Sequence, residues 1–166
     1  FVAFTRKVLD TAIAAKAKNA ADVNALTLDG TTIENLIIDQ IAKIGEKIQI
    51  SHYEAIEAPV VYSYIHPGNR LASIVSFNKT GFDEKGHDVA MQIAAMAPLA
   101  LDQKSVPADV IEREMEVYRG QVREEGKPEN MVEKIAEGKL NKFFKESTLL
   151  NQEFIKDSKK TVLQHL

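Results

Sequence analysis

His52 and Glu54 stand two residues apart in a stretch of alternating polarity, which places an imidazole and a carboxylate on one face of a strand. Joined by His66 from a nearby turn, they would supply the acid and base of a small hydrolase. No nucleophile with an identifiable base accompanies them, so a polar pair at a sheet margin is the simpler reading. His87 and Met91 share a helical face, but one imidazole beside a thioether is a poor site for a hard cation. Gly81 and Gly86 are too sparse for a phosphate loop, and no His-Glu-x-x-His occurs. Without cysteine, thiolate metal sites and disulfides are excluded. The carboxylates at 112–116 and 124–125 belong to a charge-rich helix, and Lys156, Lys159 and Lys160 form a solvated cluster. Tyr62 and Tyr64 alternate as strand residues that line a sheet. These residues describe a binding module with no metal and no cofactor, not an enzyme. Two places look unlike pure scaffolding: the helix end Ile44-Gly45, and the turn His66-Pro67-Gly68-Asn69-Arg70, whose exposed histidine is a usable contact although a plain hairpin turn is the simpler reading.

The elements that position these residues follow from periodicity. Phe1, Phe4, Val8, Leu9, Ala12 and Ile13 predict an amphipathic helix over residues 1–16. Asn19 to Gly30 is a polar connection with room for a short helical turn. Thr31-Thr32-Ile33-Glu34 fits a capping box, followed by the stripe Ile33, Leu36, Ile37, Ile41 and Ile44 and a stop at Gly45. The period then becomes two, predicting three antiparallel strands at about 47–56, 60–66 and 70–79. His66-Pro67-Gly68-Asn69 turns the chain between the last two. Residues 83–97 return to helix before Pro98, and Leu9–Ala17 faintly echoes Val89–Ala97. From Pro107, Ile111, Met115, Tyr118 and Val122 mark a coiled-coil seam. After Gly126-Lys127-Pro128, a second helix turns Val132, Ile135, Ala136, Leu140 and Phe143 inward. So short a connection makes an antiparallel helical hairpin, whose charged outer faces predict that it projects. A last helix is expected from about Ser158, carrying Val162, Leu163 and Leu166.

The chain of 166 residues is 45% hydrophobic and 27% charged, the profile of one soluble domain or a domain with an appendage. A net charge of −3 and a pI near 5.8 argue against phosphate-driven nucleic-acid binding. The longest apolar run, Ile93 to Leu101, contains Pro98 and is too short for a bilayer, so no membrane partner is expected. Phe1 to Lys7 does not read as a signal peptide, and a cytoplasmic location is expected. Phe1 already lies within an amphipathic pattern, which points to a piece of a longer chain.

Five segments in one order resemble bacterial elongation factor Ts. Ile41-Ala42-Lys43-Ile44-Gly45-Glu46-Lys47-Ile48 is similar to that family's "K-I-G-E-N-I". Tyr64-Ile65-His66-Pro67-Gly68-Asn69-Arg70-Leu71-Ala72 resembles its "Y-x-H-x-G-x-R-x-G-V" hairpin. Ala90-Met91-Gln92-Ile93-Ala94-Ala95-Met96-Ala97-Pro98 resembles "A-M-x-I-A-A-x-x-P". Gly126-Lys127-Pro128, leading to Lys134-Ile135-Ala136-Glu137-Gly138-Lys139, is similar to "G-K-P-x-x-I-x-E-K-I-V-E-G-R". Leu149-Leu150-Asn151-Gln152-Glu153-Phe154 and Lys160-Thr161-Val162 match "L-L-x-Q-x-F" and "K-T-V".

The resemblance implies an α+β fold of two related subdomains, here a three-stranded sheet with helices, remnant helices of the second subdomain, and a projecting hairpin. The expected segments are 1–45 for the helical part of the first core subdomain and 46–104 for the second. The hairpin takes 105–147, and 148–166 returns to the core. The duplication accounts for the helix echo. The implied function is guanine-nucleotide exchange on elongation factor Tu, without direct nucleotide binding by this chain. Ile44, Gly45 and His66 match positions that contact the GTPase, while Gly68 and Arg70 belong to the same hairpin and shape it. Pro67 departs from the family pattern. The family's wedge, a Phe in "T-D-F-V-A-K", is only imitated by Phe1-Val2-Ala3, whose register matches the following helix "F-x-x-F-x-x-x-V-L-D". The wedge and the N-terminal helical module are therefore expected upstream, and a final strand beyond Leu166. The alternative function is an adaptor that forms a homodimer through Ile111, Met115 and Tyr118.

Overall fold

A computed structural model describes all of residues 1–166, which form two compact units, Phe1–Glu57 and Ala58–Leu166. In the first unit, α1 (Val2–Ala14) buries Val8 and Ala12, one helical turn apart. It ends in a Schellman motif: the Ala17 N–H donates to the Ala12 carbonyl and the Lys16 N–H to that of Ile13. Lys16 takes the left-handed conformation at φ 53°. The connection Asn19–Gly30 holds α2 (Ala20–Ala25), capped by the Asn19 side chain on the Asp22 N–H, and the strand β1 (Thr27–Leu28). β1 pairs with β2 (Thr31–Thr32), and α3 (Ile33–Ile44) follows at once.

The start of α3 corrects the expected capping box. Both Thr31 and Thr32 lie in β2, but α3 begins only at Ile33, so the cap is Thr32, whose Oγ1 accepts from the Asn35 N–H at 3.3 Å. Val8, Ala12, Ala17, Val23, Ile33 and Ile37 make the core of this unit, and Ile48, Ile50 and Tyr53 pack against it.

A second correction concerns residues 47–56, which are not a strand; the only sheets are pairs of strands. Their alternation records one-sided burial. Ile48 and Ile50 turn onto the helices while Lys47, Gln49 and Ser51 stay exposed, and no neighbouring strand is needed for that. After Ile50 the pattern shifts, with Tyr53 rather than His52 turned inward.

In the second unit, β3 (Val60–Ile65) and β4 (Ala72–Phe77) form an antiparallel pair in the register Val60↔Phe77 to Ile65↔Ala72. Val60, Tyr62 and Tyr64, opposite Phe77, Val75 and Ser73, make its inner face. Against the pair packs α4 (Asp83–Met96), which ends before Pro98 as expected. A 3₁₀ turn at Gln103–Ser105 leads to α5 (Ala108–Glu124) and α6 (Glu129–Ser147), packed on each other as an antiparallel hairpin. Val122, Val132 and Ala136 are buried between them, so the predicted seam is used within the hairpin.

The C-terminal segment is the third correction. Residues Asp157–Thr161 are a strand, β6, paired with β5 (Glu153–Phe154), and the last helix, α7 (Val162–His165), starts later than Ser158. A capping box sets its start: Thr161 Oγ1 accepts from the Gln164 N–H, and Gln164 Oε1 accepts from that of Thr161. Val89, Leu149, Phe154 and Val162 form the core joining α4 to this return. The fold is α+β, with paired strands in place of a three-stranded sheet.

Candidate functional site

The sequence-selected residues fall on two surfaces, one in each unit. In the first unit α3 presents Ile33 and Ile37 to the core, and its stripe runs outward until Ile44 is 44% exposed. Gly45, at φ 78°, ends the helix, its N–H donating to the Ile41 carbonyl at 2.8 Å. The result is a single exposed isoleucine on a fixed helix end.

In the second unit the β3–β4 turn is built from below. The Tyr62 ring lies against Gly86 of α4 so closely that a Cβ there would sit 2.1 Å from the ring. Its hydroxyl donates to Asp83 Oδ1 at 2.9 Å. Burial and that carboxylate together hold the phenol's pKa above its ordinary value. His87 and Phe77 meet the same ring edge-on. Two residue pairs further along, Ser73 Oγ donates to the Ala90 carbonyl. These links hold the strands on α4 and leave residues 66–71 exposed beyond their ends.

The turn itself is closed by the backbone. The His66 N–H donates to the Leu71 carbonyl at 2.9 Å, and the Asn69 N–H to the His66 carbonyl at 3.0 Å. Pro67 occupies the position whose φ proline pre-sets, and Gly68 at φ 91° takes the next, which only glycine adopts without strain. Pro67 therefore fits the turn and stiffens the presentation of His66. Asn69 adds a second left-handed residue at φ 56°. His66 and Arg70 are exposed, and the guanidinium makes no ion pair.

The structure thus gathers His66, Gly68 and Arg70 on one turn and Ile44 and Gly45 on one helix end. His52 and Glu54 stand exposed on the unpaired segment, not on a strand. Two further residues went unread in the sequence. Tyr64 places its hydroxyl 2.9 Å from Nδ1 of His66, the residue just past the end of β3, and the two-residue spacing is the signal that could have shown it. Gly86, dismissed as a phosphate-loop glycine, is the space that admits Tyr62. No group of three acidic or histidine side chains is placed to hold a metal ion, and no helix is long and apolar enough to cross a membrane.

A family model described as elongation factor TS matches residues 1–166. Elongation factor Ts of Porphyromonas gingivalis is 44% identical over 167 residues, covering 100% of this chain and 61% of the relative. That of Cytophaga hutchinsonii is 46% identical over 170 residues, again 100% and 61%, and that of a Hydrogenobaculum species 55% over 135 residues, 81% and 49%. The chain spans about 61% of the length of the first two relatives. A match running through both units, and through both exposed surfaces just described, means that the chain belongs to the elongation factor Ts family.

Proposed function

We propose that this protein acts as a guanine-nucleotide exchange factor: it binds elongation factor Tu carrying GDP and promotes release of the nucleotide. The observation that carries this reading is the family match over the whole of residues 1–166, which includes both contact surfaces. A GTPase holds GDP through loop N–H groups and Mg²⁺, so it has two states with different affinity for a partner. A protein that binds the nucleotide-free state more tightly must weaken GDP by the same factor. No bond is made or broken in this chain under that scheme.

Each candidate residue has a role in that reading. Ile44 offers apolar area on a helix end closed by Gly45, and His66 offers a directional polar contact from a backbone-closed turn. Gly68 shapes that turn, and Arg70 adds a free positive charge beside it. Contact through these groups shifts the GTPase elements that hold metal and phosphate.

Release of a fluorescent GDP analogue from elongation factor Tu tests the activity. Residues 1–166 do not contain the "T-D-F-V-A-K" wedge motif, so this polypeptide alone is expected to bind while accelerating release only weakly. Rates equal to those of a full-length relative overturn that expectation. His66→Ala should weaken calorimetric affinity for nucleotide-free elongation factor Tu by about tenfold, the scale of one interface anchor. Unchanged affinity removes His66 from the interface.

A further inference from the structure

We propose that Tyr64 is a positioning residue for His66, fixing the imidazole proton on Nε2 so that the turn presents a hydrogen-bond donor to an oxygen acceptor on the partner. The inference rests on the reading that His66 meets a partner protein. Its physical basis is the way the two side chains are held.

Tyr64 is half-buried in the sheet, paired with Ser73, whose hydroxyl is bonded to the Ala90 carbonyl of α4. The phenol therefore stands on a fixed base and only its hydroxyl reaches the turn. The backbone of His66 is held at both its N–H and its carbonyl, and Pro67 follows. What stays free is the ring, which in an exposed histidine samples several rotamers and offers either nitrogen to a partner. The polar contact of this ring is Tyr64 Oη to Nδ1 at 2.9 Å. With centroids 6.0 Å apart and planes tilted by 58°, the rings meet through this bond and not by stacking.

The direction of the bond follows from the two groups. A neutral imidazole has one donor and one acceptor nitrogen, whereas a phenol donates readily and accepts poorly because its lone pairs are drawn into the ring. The hydroxyl therefore donates into Nδ1, the proton resides on Nε2, and Nε2–H points away from the phenol oxygen. A partner with a carbonyl or carboxylate oxygen at that point gains a bond without the cost of orienting the ring.

Ring-nitrogen NMR of the 166-residue protein at about pH 8.5, where an ordinary imidazole is neutral, tests the first half. His66 should show an acceptor-type Nδ1 and a protonated Nε2, and Tyr64→Phe, which keeps the ring and removes only the hydroxyl, should raise the share protonated on Nδ1. Calorimetry with nucleotide-free elongation factor Tu tests the second half. Tyr64→Phe should weaken binding by about three- to tenfold, the worth of one hydrogen bond, and by nothing further when His66→Ala is already present. A wild-type ring protonated on Nδ1 overturns the proposal, as does an equal loss in both backgrounds. A wild-type protein that does not bind elongation factor Tu overturns the functional reading and the partner role, while the NMR result still decides whether Tyr64 sets the tautomer.

Discussion

Two regions of the second unit are each tied together by polar side chains, and they illustrate opposite economies. Under α4, Gln92 and Gln152 are almost wholly buried and neutral. Gln92 Nε2 donates to Gln152 Oε1 and to the Glu153 carbonyl, its Oε1 accepts the Ile155 N–H, and Gln152 reaches the Glu146 carbonyl. Across the α5–α6 hairpin, Arg119–Glu133, Arg123–Glu129 and Lys139–Glu125 join the helices in water, at 2.6–2.7 Å. Charged bonds are the stronger in isolation, yet the neutral ones matter more here. Burial makes a lost partner expensive, whereas solvent replaces a lost surface ion.

The largest expected effect comes from breaking the buried system. Gln92→Leu keeps much of the volume but strands Gln152 Oε1, the Glu153 carbonyl and the Ile155 N–H. It should cost about 3 kcal/mol in denaturant unfolding. A loss below about 1 kcal/mol means that water or a shifted Gln152 satisfies these groups, and the comparison fails. Asp88 belongs to the same buried interface, bonded to Lys156 at 2.5 Å, with His165 Nε2 3.2 Å away and the His165 ring stacked on Phe154. That ring nitrogen has no well-directed hydrogen bond, so Gln92, with all its polar atoms satisfied, is the cleaner probe.

A smaller effect separates backbone from charge in the hairpin. Gly126 ends α5 in the left-handed conformation at φ 72°, and the Lys127 N–H closes a Schellman motif on the Val122 carbonyl. An added Cβ would meet nothing within 4 Å, so Gly126→Ala is a purely conformational change, expected to cost about 1 kcal/mol. A neutral result would mean that the turn relaxes, and the tip would then owe its shape to the ion pairs.

The sequence disclosed these regions unequally, for physical reasons. The hairpin was legible because Gly126, Pro128 and the spacing Ile111, Met115, Tyr118, Val122 are local signals read without tertiary knowledge. The β3–β4 turn was legible for the same reason, through Pro67 and Gly68. Residues 47–56 misled because alternation reports which side is buried, not whether a strand lies alongside. Thr31 and Thr161 show the limit of cap signals: both are strand residues that begin a plausible box, but α3 starts only at Ile33 and is capped by Thr32, while α7 starts directly after Thr161 and uses it. Gln92 and Gln152 looked like ordinary helix and loop glutamines, since their meaning lies in partners 60 residues apart. At the candidate site, Ile44 stands out beside a glycine stop and His66 on a proline-glycine turn, but Tyr64 gains its meaning only from the position of its hydroxyl against the ring.

The ion pairs should give the smallest effect and the most specific one. The side chains of Lys139, Arg123 and Arg119, bonded to Glu125, Glu129 and Glu133, hold these carboxyl groups below their ordinary pKa of 4.5. A carboxylate whose folded pKa lies below its unfolded value adds stability in full above the unfolded value, and loses it as pH falls through the folded one. The pairs therefore act at neutral pH and fade below about pH 4.5. A protein carrying Glu125→Gln, Glu129→Gln and Glu133→Gln should melt slightly below the wild type at neutral pH. The two melting temperatures should converge as acid protonates the wild-type carboxylates, because the two arginines and Lys139 stay charged throughout and only the glutamates change. The remaining carboxylates are common to both proteins and drop out of the difference. A gap that persists at about pH 3 would place the loss in packing along the hairpin instead of in charge, and the surface bonds would then resemble the buried ones.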